Sequence, residues 1–421
     1  MFRETAHLGA ATMATPLQST DRIDSLDVLR GFAILGILVM NIQAFSMISQ
    51  AYLNPTLGGT FTGADFWLWV VAHVGFDSKF LALFAALFGA GVVVMAERAE
   101  AAGAASWRQH VRRMSILAVI GLVHAYGIWY GDILSVYAVI GMIAFAFRKA
   151  SIRRLLVFAA LFYAVPVVVG LAMTGLFFTM PEAAYEATVA AYWQPSGEAI
   201  AAQQEAYSGG WLGQMAQRIP DAATMHLLAL PIEEGWRVLG LMLAGMAALK
   251  SGLLTGAWSV ERYVRTGLLA AAVGLPIVIA GVVFNQATGW EMKTSLYLGA
   301  LFNHTGAPLV TLAWVCGALV VLKRGLWAPL LGRLRAVGQT ALSCYLLSSV
   351  LCVTVFYGHG FGLFGQADRV DQLLIVFAVW AVLLVVAPAW LRHFHMGPVE
   401  WLWRWGVKGE RPALRRQPAL A

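Results

Sequence analysis

Apolar runs of about twenty residues recur from one end of the chain to the other, the length a helix needs to cross a bilayer. They are continuous rather than alternating, which excludes a membrane β-barrel. Ten such spans are expected, at about 28–48, 76–95, 114–130, 133–147, 155–179, 225–249, 267–284, 296–322, 337–357 and 372–391. The second has an aromatic lead-in from Asp65, with Trp67 and Trp69 at headgroup depth and a break expected at Gly75. Between the fifth and sixth spans, 180–222 is the only long polar stretch. Its tyrosines and tryptophans suggest short amphipathic helices on the membrane surface. The expected organisation is a flexible tail over 1–21, one membrane domain over 22–407 with 180–222 as an extracytoplasmic loop, and a basic tail over 408–421. The 1–21 tail lacks the apolar core of a cleaved leader. The fold class is an all-α polytopic membrane bundle.

Composition sharpens this picture. The chain of 421 residues is 60% hydrophobic and 12% charged, about half the charged share of a soluble domain. Its formal charge is +7, unevenly spread. Of 29 Lys and Arg, 24 fall on the side shared by the termini; Arg218, Lys293 and Arg369 fall opposite, and Lys79 and Arg237 lie within spans. The positive-inside rule then puts both termini in the cytoplasm. Cys316, Cys344 and Cys352 all lie in apolar runs and offer no disulfide framework or metal spacing. Neither a metal nor a nucleic acid is expected as a partner; the bilayer is.

The candidate chemistry is the ionisable groups that this topology buries, because charge inside a membrane is costly and usually faces the bundle interior. His124 sits in the third span and Asp132 at its end. Positions 124, 128 and 132 would share one face of a continuing helix. His124 is the candidate base, oriented by Asp132 or Glu234. Glu233 and Glu234 precede Arg237 by four and three residues, spacings that allow an ion pair along one helix. The surplus carboxylate is expected to meet Lys79. Asn41, His304 and Tyr345 complete the candidate substrate-binding set with Lys79, Glu233 and Arg237. His73, His226 and His359 are expected at the interface. On the termini side, Asp27, Arg30, Arg113 and Arg333 form a rim suited to an anionic donor.

Six stretches carry a family resemblance: Arg22 to Asn41, Ser78 to Gly91, Gly121 to Leu134, Glu234 to Met246, Gly338 to Tyr345 and Gly397 to Trp403. Together they resemble the YeiB family of bacterial membrane proteins, a domain of unknown function. The opening Leu26-Asp27-x-x-Arg30-Gly31 is similar to that of heparan-α-glucosaminide N-acetyltransferase and of acyltransferase-3 proteins. That similarity implies a transmembrane-acyltransferase-like bundle. It also implies acyl-CoA as donor and an extracytoplasmic lipid or glycan acceptor with a hydroxyl or amine. The loop after the first span has no histidine, where the acetyltransferase carries its catalytic one, so His124 would act from another helix. The alternative expectation is a small-molecule transporter or exporter.

Overall fold

The computed structural model describes residues 23–57 and 61–416, so the expected 1–21 tail lies outside the described residues. In chain order the helices are α1 (Asp24–Ser46), α2 (Ser49–Leu53), α3 (Gly63–Gly75), α4 (Lys79–Ala101), α5 (Ser106–Gly127) and α6 (Leu134–Ala144). Then come α7 (Ile152–Thr179), α8 (Glu182–Tyr192), α9 (Gly197–Ser208) and α10 (Met215–Thr224). A π-helical stretch, Met225–Glu234, joins α10 to α11 (Gly235–Lys250). The rest are α12 (Val260–Ala287), α13 (Met292–Thr294), α14 (Ala300–Lys323), α15 (Ala328–Gln339), α16 (Ala341–Phe356), α17 (Arg369–His393) and α18 (Pro398–Lys408).

Every predicted span is helical, but the helices are unequal. Six are long and apolar enough to cross a membrane, or seven if α15 and α16, bent 90° at Thr340, count as one. The remaining predicted spans are helices that miss this measure. α5 opens with Arg108, Arg112 and Arg113 in its first turns. α6 has only 11 residues. α11 has 16 and follows a stretch that ends in two glutamates. The helix suggested by positions 124, 128 and 132 does not continue: α5 stops at Gly127, and Asp132 lies in the turn before α6.

α1 is the hub. Its apolar window is 83% buried, against 22% for α7 and α17 and 28% for α12, which form the lipid-facing periphery. Small residues let the backbones close on the hub, because dispersion packing rather than water exclusion joins helices in lipid. A Cβ at Gly31 would collide with the Leu334 carbonyl of α15, and one at Gly338 with the Asp27 carbonyl of α1. On the opposite flank, Gly89 and Gly245 bring α4 against α11 in the same way. α3 and α4 are separated by a sharp break in which Ser78 adopts φ 64°.

The polar stretch forms its predicted short helices, and α9, α10 and the segment between them fold back onto the bundle. Tyr207 is 1% exposed and Arg218 0%. The Arg218 guanidinium donates to the Gly127 carbonyl at 2.9 Å, and the Trp211 indole donates to the same carbonyl at 2.8 Å. Two donors from α10 and its lead-in therefore pin this segment onto the end of α5, one turn beyond His124.

Candidate functional site

His124 lies in the last turn of α5 and is 1% exposed. Its carbonyl receives the amides of Ile128 and Trp129, at 2.8 and 2.9 Å, which closes the helix. Trp129 stacks on Phe45 of α1 with ring centroids 3.9 Å apart. The chain then reverses through Gly131 and presents Asp132 at the start of α6. One carboxylate oxygen of Asp132 accepts from the Ser135 amide at 2.8 Å and from its hydroxyl at 2.6 Å, the bonding of a helix cap. The other oxygen is 2.8 Å from His124 Nδ1. Gly121, one turn before His124, leaves these groups their room: a Cβ there would run into the Ser135 amide and stand 2.8 Å from Asp132 Oδ2.

The carboxylate therefore holds the imidazole in one orientation and one tautomer, with the proton on Nδ1. Nε2 is buried and has no hydrogen-bond partner. The ring of Tyr345, on α16, is centred 5.1 Å from that of His124. Its hydroxyl also lacks a hydrogen-bond partner, with the Ile133 backbone beside it but out of bonding geometry. Two neighbouring rings thus each carry an unsatisfied polar atom in an apolar interior, where such atoms are rare and costly.

A second cluster surrounds the α3–α4 break. Asp77, which sequence reasoning passed over, is its centre. One of its oxygens is 2.9 Å from His73 Nδ1 and accepts from Asn303 at 2.9 Å; the other accepts from Tyr52 at 3.4 Å. Lys79, 1% exposed, donates to the His73 carbonyl at 2.7 Å and to the Asn303 side chain. Ser78 links this group to Arg237, whose guanidinium reaches the Ser78 hydroxyl at 3.4 Å and grips Glu234 at 2.7 and 2.8 Å. Tyr137, within charge range of Arg237, Glu234 and Tyr345, stands between the two clusters.

Not every predicted residue joins a cluster. His124, Asp132 and Tyr345 come together, and Asp132 rather than Glu234 is bonded to the imidazole. Lys79, Glu234 and Arg237 join the second cluster, but Lys79 meets Asn303 and a carbonyl rather than the surplus carboxylate. Glu233 makes no hydrogen bond or ion pair among the described residues and lies on the side of Tyr297. His304 is turned to α7, stacked on Tyr163 at 4.1 Å and bonded to its carbonyl at 3.0 Å. Asn41 is part-buried in α1 and makes no hydrogen bond to either cluster among the described residues. His73 and His226 are engaged in polar networks rather than spread at an interface. Two signals could have found the missed groups: Asp77 follows His73 by four residues, and Ser135 follows Asp132 at capping distance.

At the termini end, Asp27 and Arg30 pair at 2.9 Å. The Arg113 guanidinium lies 4.4 Å from the centre of the Trp403 ring, within charge range of Arg30 and Arg404. Guanidinium groups from α1, α5 and α18 thus lie within charge range around Arg113. Arg333 is elsewhere, donating to the Leu384 carbonyl of α17 at 3.0 Å.

These features define a multi-pass helical membrane protein that encloses two polar clusters within an apolar bundle. Comparison with known proteins places it further: the chain belongs to the YeiB family. It is 34% identical over 392 residues to the uncharacterized protein YeiB of Escherichia coli (strain K12), covering 91% of this chain and 96% of that protein. It is 33% identical over 411 residues to the uncharacterized protein YxaH of Bacillus subtilis (strain 168), covering 92% and 95%. The model of a family described as a protein of unknown function (DUF418) matches residues 248–410. That match includes Tyr345 and α18 and leaves out the His124–Asp132 turn, Arg30 and Arg113.

Proposed function

We propose that the protein is a membrane acyltransferase that passes an acyl group from cytoplasmic acyl-CoA to a hydroxyl or amine of a lipid or glycan on the other side of the inner membrane. In this reading both termini are cytoplasmic. The observation that carries it is the buried His124–Asp132 pair, whose Nε2 makes no hydrogen bond. An imidazole so oriented is equipped as a general base. The acceptor gives its proton to Nε2 as its oxygen or nitrogen bonds to the thioester carbonyl carbon. The carbon–sulfur bond then breaks, and the leaving thiolate takes that proton from the imidazolium. The Tyr345 hydroxyl is the donor for the tetrahedral oxyanion. Lys79, Glu234 and Arg237, linked through Ser78 and Asp77, hold the polar part of the acceptor. Arg30, Arg113 and Arg404 suit the phosphates of the donor, since guanidinium groups pair strongly with phosphate.

Purified protein in lipid nanodiscs, supplied with acyl-CoA and a mixed lipid and sugar acceptor pool, should release free thiol. His124→Ala should lower the rate by about 10²–10⁴-fold, the usual share of a general base. Full activity in that variant removes His124 from the mechanism. No thiol release, together with solute uptake into liposomes lacking acyl-CoA, would make the protein a transporter instead.

A further inference from the structure

His226 has no part in the scheme above, yet it is wired to it. It is the second residue of the π-helical stretch, half-buried, with its ring stacked on Tyr126 at 5.7 Å between centroids. Its Nδ1 is 2.8 Å from the Ala222 carbonyl, which can only accept, so Nδ1 carries a proton. Its Nε2 is 2.7 Å from Ser135 Oγ, which is in turn 2.6 Å from Asp132 Oδ2. A hydroxyl has a single proton to give. If Asp132 is ionised, that proton points at the carboxylate. Oγ then offers His226 only a lone pair, so Nε2 must bear a second ring proton. If His226 is neutral, its bare Nε2 takes the hydroxyl proton, and Asp132 must supply one to Oγ. Both arrangements hold one proton more than an ionised aspartate beside a neutral histidine.

The other end of the network sets where that proton is not. His124 Nε2 is buried with no acceptor in reach. Protonating it would bury an unpaired N–H on a charged ring, which loses its full hydration for no bond in return. Among the described residues no other cation answers Asp132. Arg237 is bonded to Glu234, and the ionisable side chains of α7 are Arg153 and Arg154 at its start and Tyr163. α5 contributes Tyr126 to His226; the helical run that carries His226 holds the acids Asp221, Glu233 and Glu234 and one nearby cation, Arg218, whose guanidinium is engaged with the Gly127 carbonyl and the Gln214 side chain.

We propose that Asp132 and His226 share one proton through Ser135, so that the pair is neutral overall and His124 keeps its Nε2 lone pair bare. His226 is thus a positioning residue two hydrogen bonds from Asp132. Without it, Asp132 would draw its compensating proton onto His124, and the base would be lost. The location of the proton follows from the hydrogen bonding alone. Its consequence for a base rests on the acyl-transfer reading.

The test is spectroscopic and needs no turnover. Wild-type protein with ¹⁵N-labelled histidine in bilayers is examined by solid-state NMR near neutral pH, with infrared spectroscopy for the Asp132 carboxyl. The expected result is one ring proton on His124, with either two on His226 or a protonated Asp132. An ionised Asp132 beside two singly protonated histidines, or a doubly protonated His124, overturns the proposal, and spectra of the wild type suffice to show either. In His226→Gln and Ser135→Ala the second proton should appear on His124; if His124 stays singly protonated in both, the relay is refuted. Should the acyl-transfer assay also succeed, the rate profile of Ser135→Ala should move to higher pH. Should that assay fail in wild type, the NMR result still stands or falls by itself.

Discussion

Asp132 accepts three hydrogen bonds in a buried space, and each has a separate consequence. The two from Ser135 start α6, and the one from His124 orients the imidazole. Asp132→Asn replaces one oxygen by a donor, so the amide must turn a hydrogen toward either Ser135 or the imidazole. Facing the imidazole, it favours the tautomer with a bare Nδ1, and Nε2 becomes a donor. Thiol release should then fall by about 10²–10⁴-fold, as for loss of the base itself. A double-mutant cycle between positions 124 and 132 should give about 0.6–2 kcal/mol of coupling, the range for polar pairs within membranes. Coupling near zero would mean that the two side chains do not meet. At this scale His124, Asp132, Lys79 and Arg237 were legible because an ionisable group in an apolar run has no innocent solvent-facing explanation. Ser135, Asn303 and His226 were not, because such residues are common near helix ends. Asn303 and His226 join the clusters through partners 91 to 226 residues away, which no local pattern encodes; Ser135 stands at capping distance from Asp132, a signal that marks a helix start rather than a site.

Helices here are set in place by their ends as much as by their faces. α16 starts at a 90° bend, and its first amides would be unsatisfied there but for Glu400 of α18. The Glu400 carboxylate accepts from the amides of Leu342 at 2.7 Å and Ser343 at 3.1 Å, and from the Ser343 hydroxyl. Burial pushes the Glu400 carboxyl up, and the hydrogen bonds from Ser343 and Leu342 only partly oppose it. An acid raised in the fold binds its proton more tightly there than in the unfolded chain. Stability therefore declines as pH rises from the ordinary glutamate range through the raised value. Thermal unfolding of the solubilised protein should show that decline, and Glu400→Gln should flatten it. Glu400→Ala, which removes the acceptor, should lose about 0.5–2 kcal/mol, the worth of a helix cap. An unchanged pH slope would show that another carboxyl is responsible. The run Gly397 to Trp403 was recognisable as a motif, but its purpose was not, because the amides it caps belong to a helix 57 and 58 residues earlier.

The whole molecule has two unlike ends. One gathers α18 with Arg30, Arg113 and Arg404, and the other is closed by the α8–α10 cap and its buried Arg218. Single cysteines at exposed positions should report this polarity in intact cells: Glu198→Cys should react with an impermeant maleimide, and Lys408→Cys only after permeabilisation. The three native cysteines are buried and give little background. Labelling in the opposite order would invert the topology and the donor–acceptor assignment with it. The sequence by itself determined that the chain is a helical membrane protein and where each apolar helix lies. Those properties depend on the local balance between apolar length and charge, and hydrocarbon leaves a backbone few alternatives to a helix. Only the tertiary structure decided that α1 is the hub, that α5 stops short of Asp132, and that the buried charges divide into two clusters. Those outcomes depend on which backbones can touch and which polar atoms find partners across the bundle, and both are set by contacts between residues far apart in the chain.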